Sequence, residues 1–251
     1  MKVILNILTH GDEVVGLAVA KEINKLRLVR GELVVHKANE LAYKRKKRFI
    51  DQDLNRSFPG DVKGNHEQRL AAKILPIIKS ADIVIDIHST TSGLKDALIV
   101  TRLNRKTREL VKVIGPKYLL FMRATKSNAL MSEAKIGLAF EYGSNSDKAA
   151  LREVIRGIKR LLSHLEMIEE KCPKSTEKTL WLDVYKMVAK PDKATLLKSI
   201  KNYKLIRKGD KYASCNGLPI RSKEDFYPIL FGENNYNDIF GFAARMYRKG
   251  R

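Results

Sequence analysis

A short stretch of the chain, KVILNILTHGDE (residues 2–13), decides the first part of the fold. Its leading residues are mostly apolar and β-prone, which predicts a buried strand over residues 2–9. Apolar residues then recur at helical spacing over residues 13–26, which predicts a helix with Asp12 as its N-cap. The stretch therefore predicts a strand that leads directly into a helix, with His10 and Glu13 at the junction.

The same alternation of strands and helices continues along the chain. Apolar runs predict strands at residues 31–38, 81–88, 97–101, 118–123 and 136–141, and helical periodicity predicts helices at residues 67–79 and 147–168. Residues 40–64 form a polar stretch without clear period, which is typical of a loop that is either functional or disordered. This order predicts an α/β fold in which helices flank a central, mostly parallel sheet with some mixed pairing.

The composition and patterning of the sequence change beyond about residue 170. Proline and glycine residues there separate short β-like runs, including residues 181–188 and 203–207. We therefore predict two domains, a main domain over residues 1–170 and a small β-rich C-terminal module over residues 171–251.

Candidate metal ligands lie at the ends of predicted strands. His10 and Glu13 follow the first strand, His88 ends a second, and Glu141 ends a third. In open α/β sheets, sites form at the carboxyl ends of the strands. Two histidines and a glutamate are a ligand set of catalytic zinc, which keeps one further position for water. The sequence therefore predicts one zinc ion per chain, bound by His10, Glu13 and His88.

Composition limits the class of protein. The 251 residues can bury a full core, and no apolar run approaches the roughly eighteen residues that a membrane span needs. Cys172 and Cys215 fit no metal or redox spacing, which predicts reduced thiols in a soluble cytoplasmic protein without a membrane partner. The net charge of +21 suits either a nucleic-acid partner or a lysine-rich solvated surface. The second interpretation is favoured because no nucleic-acid-binding signature is present.

Four motifs occur in an order that resembles the succinylglutamate desuccinylase and aspartoacylase family. They are His10-x-x-Glu13, Asp53-x-Asn55-Arg56, Asp86-Ile87-His88-Ser89-Thr90 and Phe140-Glu141-Tyr142-Gly143, and the likeness extends to residues 233–236. Members of this family are zinc amidohydrolases with the metallocarboxypeptidase fold. The resemblance implies hydrolysis of a small N-acyl amino acid, with the C-terminal module closing over the active site.

The resemblance also implies roles for individual residues. Glu141 matches the general base, and Arg48 matches the arginine that polarises the scissile carbonyl. Asn55 and Arg56 match the pair that binds the substrate carboxylate, for which the fork of an arginine is suited. Tyr236 matches a tyrosine that contacts the substrate.

Two carboxylates compete for one further role. Asp53 resembles the carboxylate that orients a zinc-bound imidazole. Asp86 is an alternative, because it shares a strand face with His88. His36, His66 and His164 are interpreted as ordinary histidines without a part in the site.

The chain departs from aspartate-specific members of the family at two positions. They carry an arginine ten residues before the base and a lysine four residues after the tyrosine, where this chain has Met131 and Phe240. A buried carboxylate without a cation is costly. We therefore expect N-acetylaspartate to be a poor substrate and an apolar or differently charged amino acid to be preferred, unless Lys126 or Lys135 supplies the missing charge.

Two alternative functions stay open on sequence alone. The same ligands serve a metallocarboxypeptidase that acts on short peptides. A basic nucleic-acid-binding protein with a relic hydrolase fold is the other alternative, and it predicts binding that weakens steeply with salt. The sequence also leaves open whether the chain forms a homo-oligomer.

Overall fold

The protein is described here by a computed structural model, which covers residues 1–90, 94–125, 128–232 and 236–247. The helices of these residues are α1 (Val15–Ile23), α2 (Glu40–Lys44), α3 (His66–Ser80), α4 (Arg105–Ile114), α5 (Leu130–Glu133) and α6 (Lys148–His164), with a 3-10 helix at Leu54–Arg56. The strands are β1 (Lys2–Ile7), β2 (Glu32–Lys37), β3 (Ile83–His88), β4 (Ala97–Val100), β5 (Tyr118–Met122), β6 (Gly137–Glu141), β7 (Leu180–Ala189), β8 (Ala194–Leu196), β9 (Lys211–Cys215), β10 (Leu218–Arg221), β11 (Tyr227–Ile229) and β12 (Ile239–Met246).

A nine-stranded sheet of mixed direction forms the centre of the fold. Its strand order is β11-β12-β7-β5-β4-β6-β3-β1-β2. Strand β1 pairs in parallel with β2 and β3, β3 with β6, and β5 with β4 and β7, whereas β4–β6, β7–β12 and β11–β12 are antiparallel. The predicted α/β fold with a mostly parallel, mixed sheet is therefore confirmed.

Strand β6 shows how the two faces of the sheet are covered. Leu138 and Phe140 pack in one cluster with buried residues of α1, α4 and α6. Ala139 belongs to a second cluster, with residues of α3 and α5. Because successive strand side chains point to opposite faces, Glu141 follows Ala139 on the side of α3 and α5. The end of β6 therefore presents its carboxylate on that side of the sheet.

The chain beyond residue 170 contributes to two sheets. Strands β7, β11 and β12 extend the central sheet, while β8, β9 and β10 form a separate three-stranded antiparallel sheet. This second sheet is the small β-rich part of the predicted fold. The boundary at residues 170/171 stays a prediction, and strands from both sides of it share one sheet through the β5–β7 pair.

Several local predictions are corrected. Helix α1 begins after Val14, which has no side-chain cap, so the predicted capping role of Asp12 is wrong. The polar stretch of residues 40–64 contains α2 and the 3-10 helix, and α4 was not predicted. Residues 203–207 form no strand and make only an isolated bridge, between Ile206 and Phe226.

No helix of the described residues is long and apolar enough to cross a membrane. The cytoplasmic location inferred from the cysteines stays a prediction.

Candidate active site

The candidate site lies where β1, β3 and β6 end at one edge of the central sheet. His88 is the last residue of β3, and it is the register neighbour of Glu141, the last residue of β6. His10 follows β1, in the turn that leads to α1. Parallel pairing of β1 with β3 and of β3 with β6 brings these three strand ends together. The strand-end placement expected from the sequence is therefore present.

The three predicted metal ligands converge on one point. One potential ligand atom from each of His10, Glu13 and His88 lies within 4.8 Å of the others. Glu13 bridges the two rings, with Oε1 2.7 Å from His10 Nδ1 and Oε2 2.8 Å from His88 Nδ1. All three side chains are buried. Both imidazoles therefore direct Nδ1 towards the same carboxylate.

Each imidazole contacts a second carboxylate through Nε2, the ring nitrogen that does not face Glu13. Asp53 Oδ1 lies 3.1 Å from His10 Nε2, and Asp86 Oδ2 lies 2.8 Å from His88 Nε2. The sequence left Asp53 and Asp86 as competitors, but the two residues serve different rings. An Nε2–H that donates to a carboxylate leaves Nδ1 as the free ligand atom. Two such nitrogens and one carboxylate fit the donor set of a catalytic zinc ion.

A proton and a metal cation would compete for the same ligand atoms at this centre. Burial opposes a charge on His10, but the nearby carboxylates of Glu13 and Asp53 outweigh burial and raise its pKa to about 9. Metal ligands must be deprotonated, so the same carboxylates that favour the proton also favour a metal ion in its place.

Glu141 has the properties of a proton-transfer group. Burial, reinforced by the charge of Glu13, raises its pKa to about 7, although His88 opposes the shift. Within the described part of the chain its buried Oε2 has no hydrogen-bond partner. A carboxyl group that titrates near neutrality can both accept and return a proton at working pH.

Arg48 approaches the same centre from the loop that follows α2. Its Nη1 donates to Glu13 Oε1 over 2.7 Å, and its carbonyl oxygen accepts from the Gly11 N–H over 2.9 Å. A side chain at position 11 would overlap the backbone of Ala42 and Tyr43, so this close approach requires glycine. The end of the basic run at residues 44–48 thus belongs to the site.

Glu67 supports the site, although the sequence pattern does not predict this role. It is fully buried at the start of α3, and its carboxylate accepts from the backbone N–H of Ile50, Asp51 and Gln52 over 2.7, 2.9 and 3.2 Å. Asn39 adds a fourth bond, from Nδ2 over 3.0 Å. These bonds hold the segment between Arg48 and Asp53. A glutamate in a first helical turn usually interacts with the helix dipole, so no sequence signal marks this role.

A small pocket of about 100 Å³ opens beside the triad. Asn55, Arg56 and Tyr236 line it together with Arg48 and Glu141. Asn55 Oδ1 accepts from the Leu130 N–H over 3.2 Å, which joins the 3-10 helix to α5. The rest of the wall is largely apolar, and its larger members are Ile99, Met122, Met131, Leu230 and Phe242.

Phe240 does not line this pocket, so that prediction is wrong. It is fully buried against Tyr212 and Phe231, on the side of the small sheet. Strand β12 carries a β-bulge between Ile239 and Gly241, which changes the alternation of side chains. As a result Phe242, and not Phe240, lies in the pocket.

Of the two candidate replacement cations, Lys135 does not fill the predicted gap. Lys135 is exposed, and its Nζ lies 3.6 Å from Asp82, away from the pocket. Lys126 and residues 233–235 lie outside the described residues. Among the described residues that line the pocket, the cationic side chains besides the histidines are Arg48 and Arg56.

The chain belongs to the succinylglutamate desuccinylase/aspartoacylase family, because residues 2–165 match the model of that family's catalytic domain. The resemblance inferred from the four motifs is thereby confirmed. The N-alpha-acetyl-L-2,4-diaminobutyric acid deacetylase of Halomonas elongata is 30% identical over 70% of this chain, and the match spans 58% of that relative's length. The N-acyl-aromatic-L-amino acid amidohydrolase (carboxylate-forming) of Xenopus tropicalis is 24% identical over 91% of this chain and 86% of that protein.

A solved structure shares the fold over almost the whole chain. The crystal structure of succinylglutamatedesuccinylase/aspartoacylase from Rhodobacter sphaeroides superposes with a TM-score of 0.78 at 20% identity. The superposition covers 99% of this chain and 86% of that chain. The shared fold therefore includes the segment beyond residue 170 as well as the central sheet.

Proposed function

We propose that the chain is a zinc-dependent amidohydrolase that cleaves an N-acyl amino acid into a carboxylate and a free amino acid. The observation that carries this proposal is that Glu141 and Arg48 lie beside the His10–Glu13–His88 triad and line one small pocket together with His10 and His88. The family supports it, since the Halomonas relative is named a deacetylase and the Xenopus relative an amidohydrolase.

His10, Glu13 and His88 would hold the metal ion through two Nδ1 atoms and a carboxylate. When bound, zinc supplies a Lewis acid that lowers the pKa of a water molecule and polarises a carbonyl group. Asp53 and Asp86 keep the two rings in the tautomer that ligation requires.

Glu141 would transfer the proton of the reaction, and Arg48 would stabilise the negative charge that develops. Glu141 accepts a proton from the water whose oxygen attacks the amide carbon. Arg48 donates hydrogen bonds to the carbonyl oxygen as negative charge develops there. When the carbon–nitrogen bond breaks, Glu141 passes its proton to the departing amine, which restores the carboxylate.

The remaining pocket residues would select the substrate. Arg56 and Asn55 suit the carboxylate of the amino acid, which an arginine can bind through two parallel hydrogen bonds. Tyr236 packs edge-on against Phe242 with ring centroids 5.8 Å apart, and it would contact the substrate beside them. Leu230, Tyr236 and Phe242 come from the C-terminal segment, which supports the idea that this segment closes the pocket.

The apolar wall favours an amino acid with an apolar side chain. If Arg48 binds the scissile carbonyl and Arg56 the α-carboxylate, no lining cation of the described residues is left for a second carboxylate. A desolvated carboxylate without a partner is costly. We therefore propose that N-acetylaspartate is a poor substrate.

Metal analysis combined with a hydrolysis screen tests the proposal. The purified protein is assayed with N-acetyl, N-succinyl and N-formyl derivatives of neutral, aromatic and acidic amino acids, and with short peptides. We expect about one zinc ion per chain, activity lost with a chelator and restored by zinc, and preference for N-acyl amino acids with apolar side chains. Preferred cleavage of peptides would favour the metallocarboxypeptidase alternative, and a protein without hydrolase activity would contradict the proposal.

A further inference from the structure

A row of polar side chains crosses three strands of the central sheet and ends at His88. His36 of β2 and Asp86 of β3 are both register neighbours of Asn6 in β1. Asn6 and Asp86 are completely buried. The row lies on the face of α3 and α5, because Ile4 and Val84, two positions earlier on the same strands, belong to the cluster of those helices.

Hydrogen bonds connect every member of this row. Asn6 Oδ1 lies 2.7 Å from His36 Nδ1, and Asn6 Nδ2 donates to Asp86 Oδ1 over 2.8 Å. Thr9 Oγ1 donates to the same Asp86 oxygen, also over 2.8 Å. The second oxygen, Oδ2, faces His88 Nε2 at 2.8 Å. Both oxygens of the buried carboxylate are therefore engaged.

The direction of these bonds matters for His88. Because the amide oxygen of Asn6 accepts from the His36 ring, its nitrogen is the group that faces Asp86. Asn6 and Thr9 then fix Asp86 Oδ1 and leave Oδ2 to accept from His88 Nε2–H. That bond sets both the plane of the His88 ring and the nitrogen that stays free towards Glu13.

The sheet itself does not need polar groups at these positions. Ile4 and Val84 fill equivalent sites on the same face with apolar side chains. Burying an amide and a carboxylate costs free energy unless every polar atom is satisfied. A complete polar row that ends on a candidate ligand is therefore better explained by the site than by packing.

We propose that Asn6 and His36 are positioning residues of the metal centre, which act through Asp86 to aim His88 Nδ1 at the ion. This inference rests on the proposed zinc site. It assigns a function to His36, for which the sequence alone predicts none. His10 is held differently, because its partner Asp53 comes from a loop and not from a neighbouring strand, and Arg48 Nη2 also lies 3.2 Å from His10 Nε2.

Zinc affinity, measured by competition with a chelator, tests the proposal in the full-length protein. His36→Phe removes the donor to Asn6 at a half-buried edge-strand position, and Asn6→Leu removes the middle of the row. We expect zinc to bind about tenfold more weakly in both variants. The visible absorption spectrum of the cobalt-substituted protein should also change, since it reports the ligand geometry directly.

Two further variants separate positioning from general stability. His36→Asn keeps an N–H near the position of Nδ1, so it should retain zinc affinity within about threefold of wild type. His164→Phe removes a surface histidine that pairs with Glu109 at 2.9 Å, outside the row, and should leave affinity and spectrum unchanged. If Asn6→Leu does not fold, the His36 variants alone decide the question.

The failure of this proposal is distinguishable from failure of the proposed function. A wild-type protein that binds zinc and hydrolyses its substrate, with unchanged affinity and cobalt spectrum in His36→Phe, would overturn only the positioning role. Equal loss of affinity in His164→Phe would also overturn it. A wild-type protein that binds no zinc would overturn both proposals.

Discussion

The two ends of the pocket are built in opposite ways. At the metal end, buried side chains are fixed by hydrogen bonds, as in the chain from Asp86 through His88 to Glu13. At the other end, apolar side chains such as Met131 and Phe242 are fixed by packing alone. The metal end comes from three neighbouring strand ends, while the apolar wall comes from segments far apart in sequence. On the proposed function, the reaction chemistry and the choice of the substrate side chain are therefore encoded in separate parts of the chain.

The largest effect should follow from removal of the proton acceptor at the metal end. Glu141→Gln keeps the size of the side chain but cannot accept a proton. We expect kcat to fall by about 10²–10⁴-fold with zinc content unchanged. Steady-state kinetics and metal analysis on the same preparation measure both quantities. Near wild-type turnover would assign the proton transfer to another group and remove the main support for the mechanism.

Arg48 gives the next largest effect at the same end. Arg48→Gln removes the guanidinium that donates to Glu13 and is proposed to stabilise the charge on the carbonyl oxygen. We expect kcat to fall by about 10²-fold. Lys47→Gln is the matched control, because it removes one charge from the adjacent, exposed position of the basic run. Equal losses in the two variants would show that the charge of the run, and not the position of Arg48, matters.

The metal end could be predicted from sequence because its residues lie at strand ends, where a short motif fixes their placement. His10 and Glu13 share one turn, and His88 and Glu141 end paired strands. The sequence could not assign Asp53 and Asp86 to different rings, since that depends on which carboxylate reaches which nitrogen.

The apolar end was less predictable for a physical reason. The prediction for Phe240 rested on its spacing after Tyr236 in the family resemblance, and the bulge between Ile239 and Gly241 places Phe240 and Phe242 on opposite faces of β12. Helix α4 was missed although the sequence marks it: Asn104 and Gly115 cap it, and Leu110, Val111 and Ile114 form a buried apolar stripe at helical spacing. Which side chains line the apolar wall depends on tertiary contacts, and local sequence patterns do not encode these contacts.

The pH dependence of the free energy of unfolding offers a further test of how the metal end is built. Burial raises the Glu141 pKa from 4.5 to about 7, so the folded state holds a proton that the unfolded chain has already released. The metal-free protein should therefore lose stability as pH rises from about 4.5 through 7. This loss amounts to roughly 2–3 kcal/mol.

The Glu141→Gln variant lacks this titration. We expect the metal-free variant to be more stable than metal-free wild type at pH 8, with a smaller advantage at pH 4.5. Urea unfolding at both pH values measures the difference. An advantage that does not change with pH would show that Glu141 titrates normally in the folded protein.

The smallest expected effect concerns substrate choice at the apolar end. Met131 is buried in the pocket wall, and Met131→Arg would introduce there a cation for the side chain of an acidic substrate. Overall activity should fall, because the larger, charged arginine side chain cannot keep the packing that Met131 makes with its neighbours. The ratio of kcat/KM for N-acetylaspartate to that for N-acetylleucine should nevertheless rise about tenfold, which corresponds to about 1.4 kcal/mol. Met131→Leu changes the shape of the wall without adding charge and should leave the ratio unchanged. If the ratio stays constant in both variants, substrate choice is not made at this wall, and the separation of chemistry from specificity between the two ends does not hold.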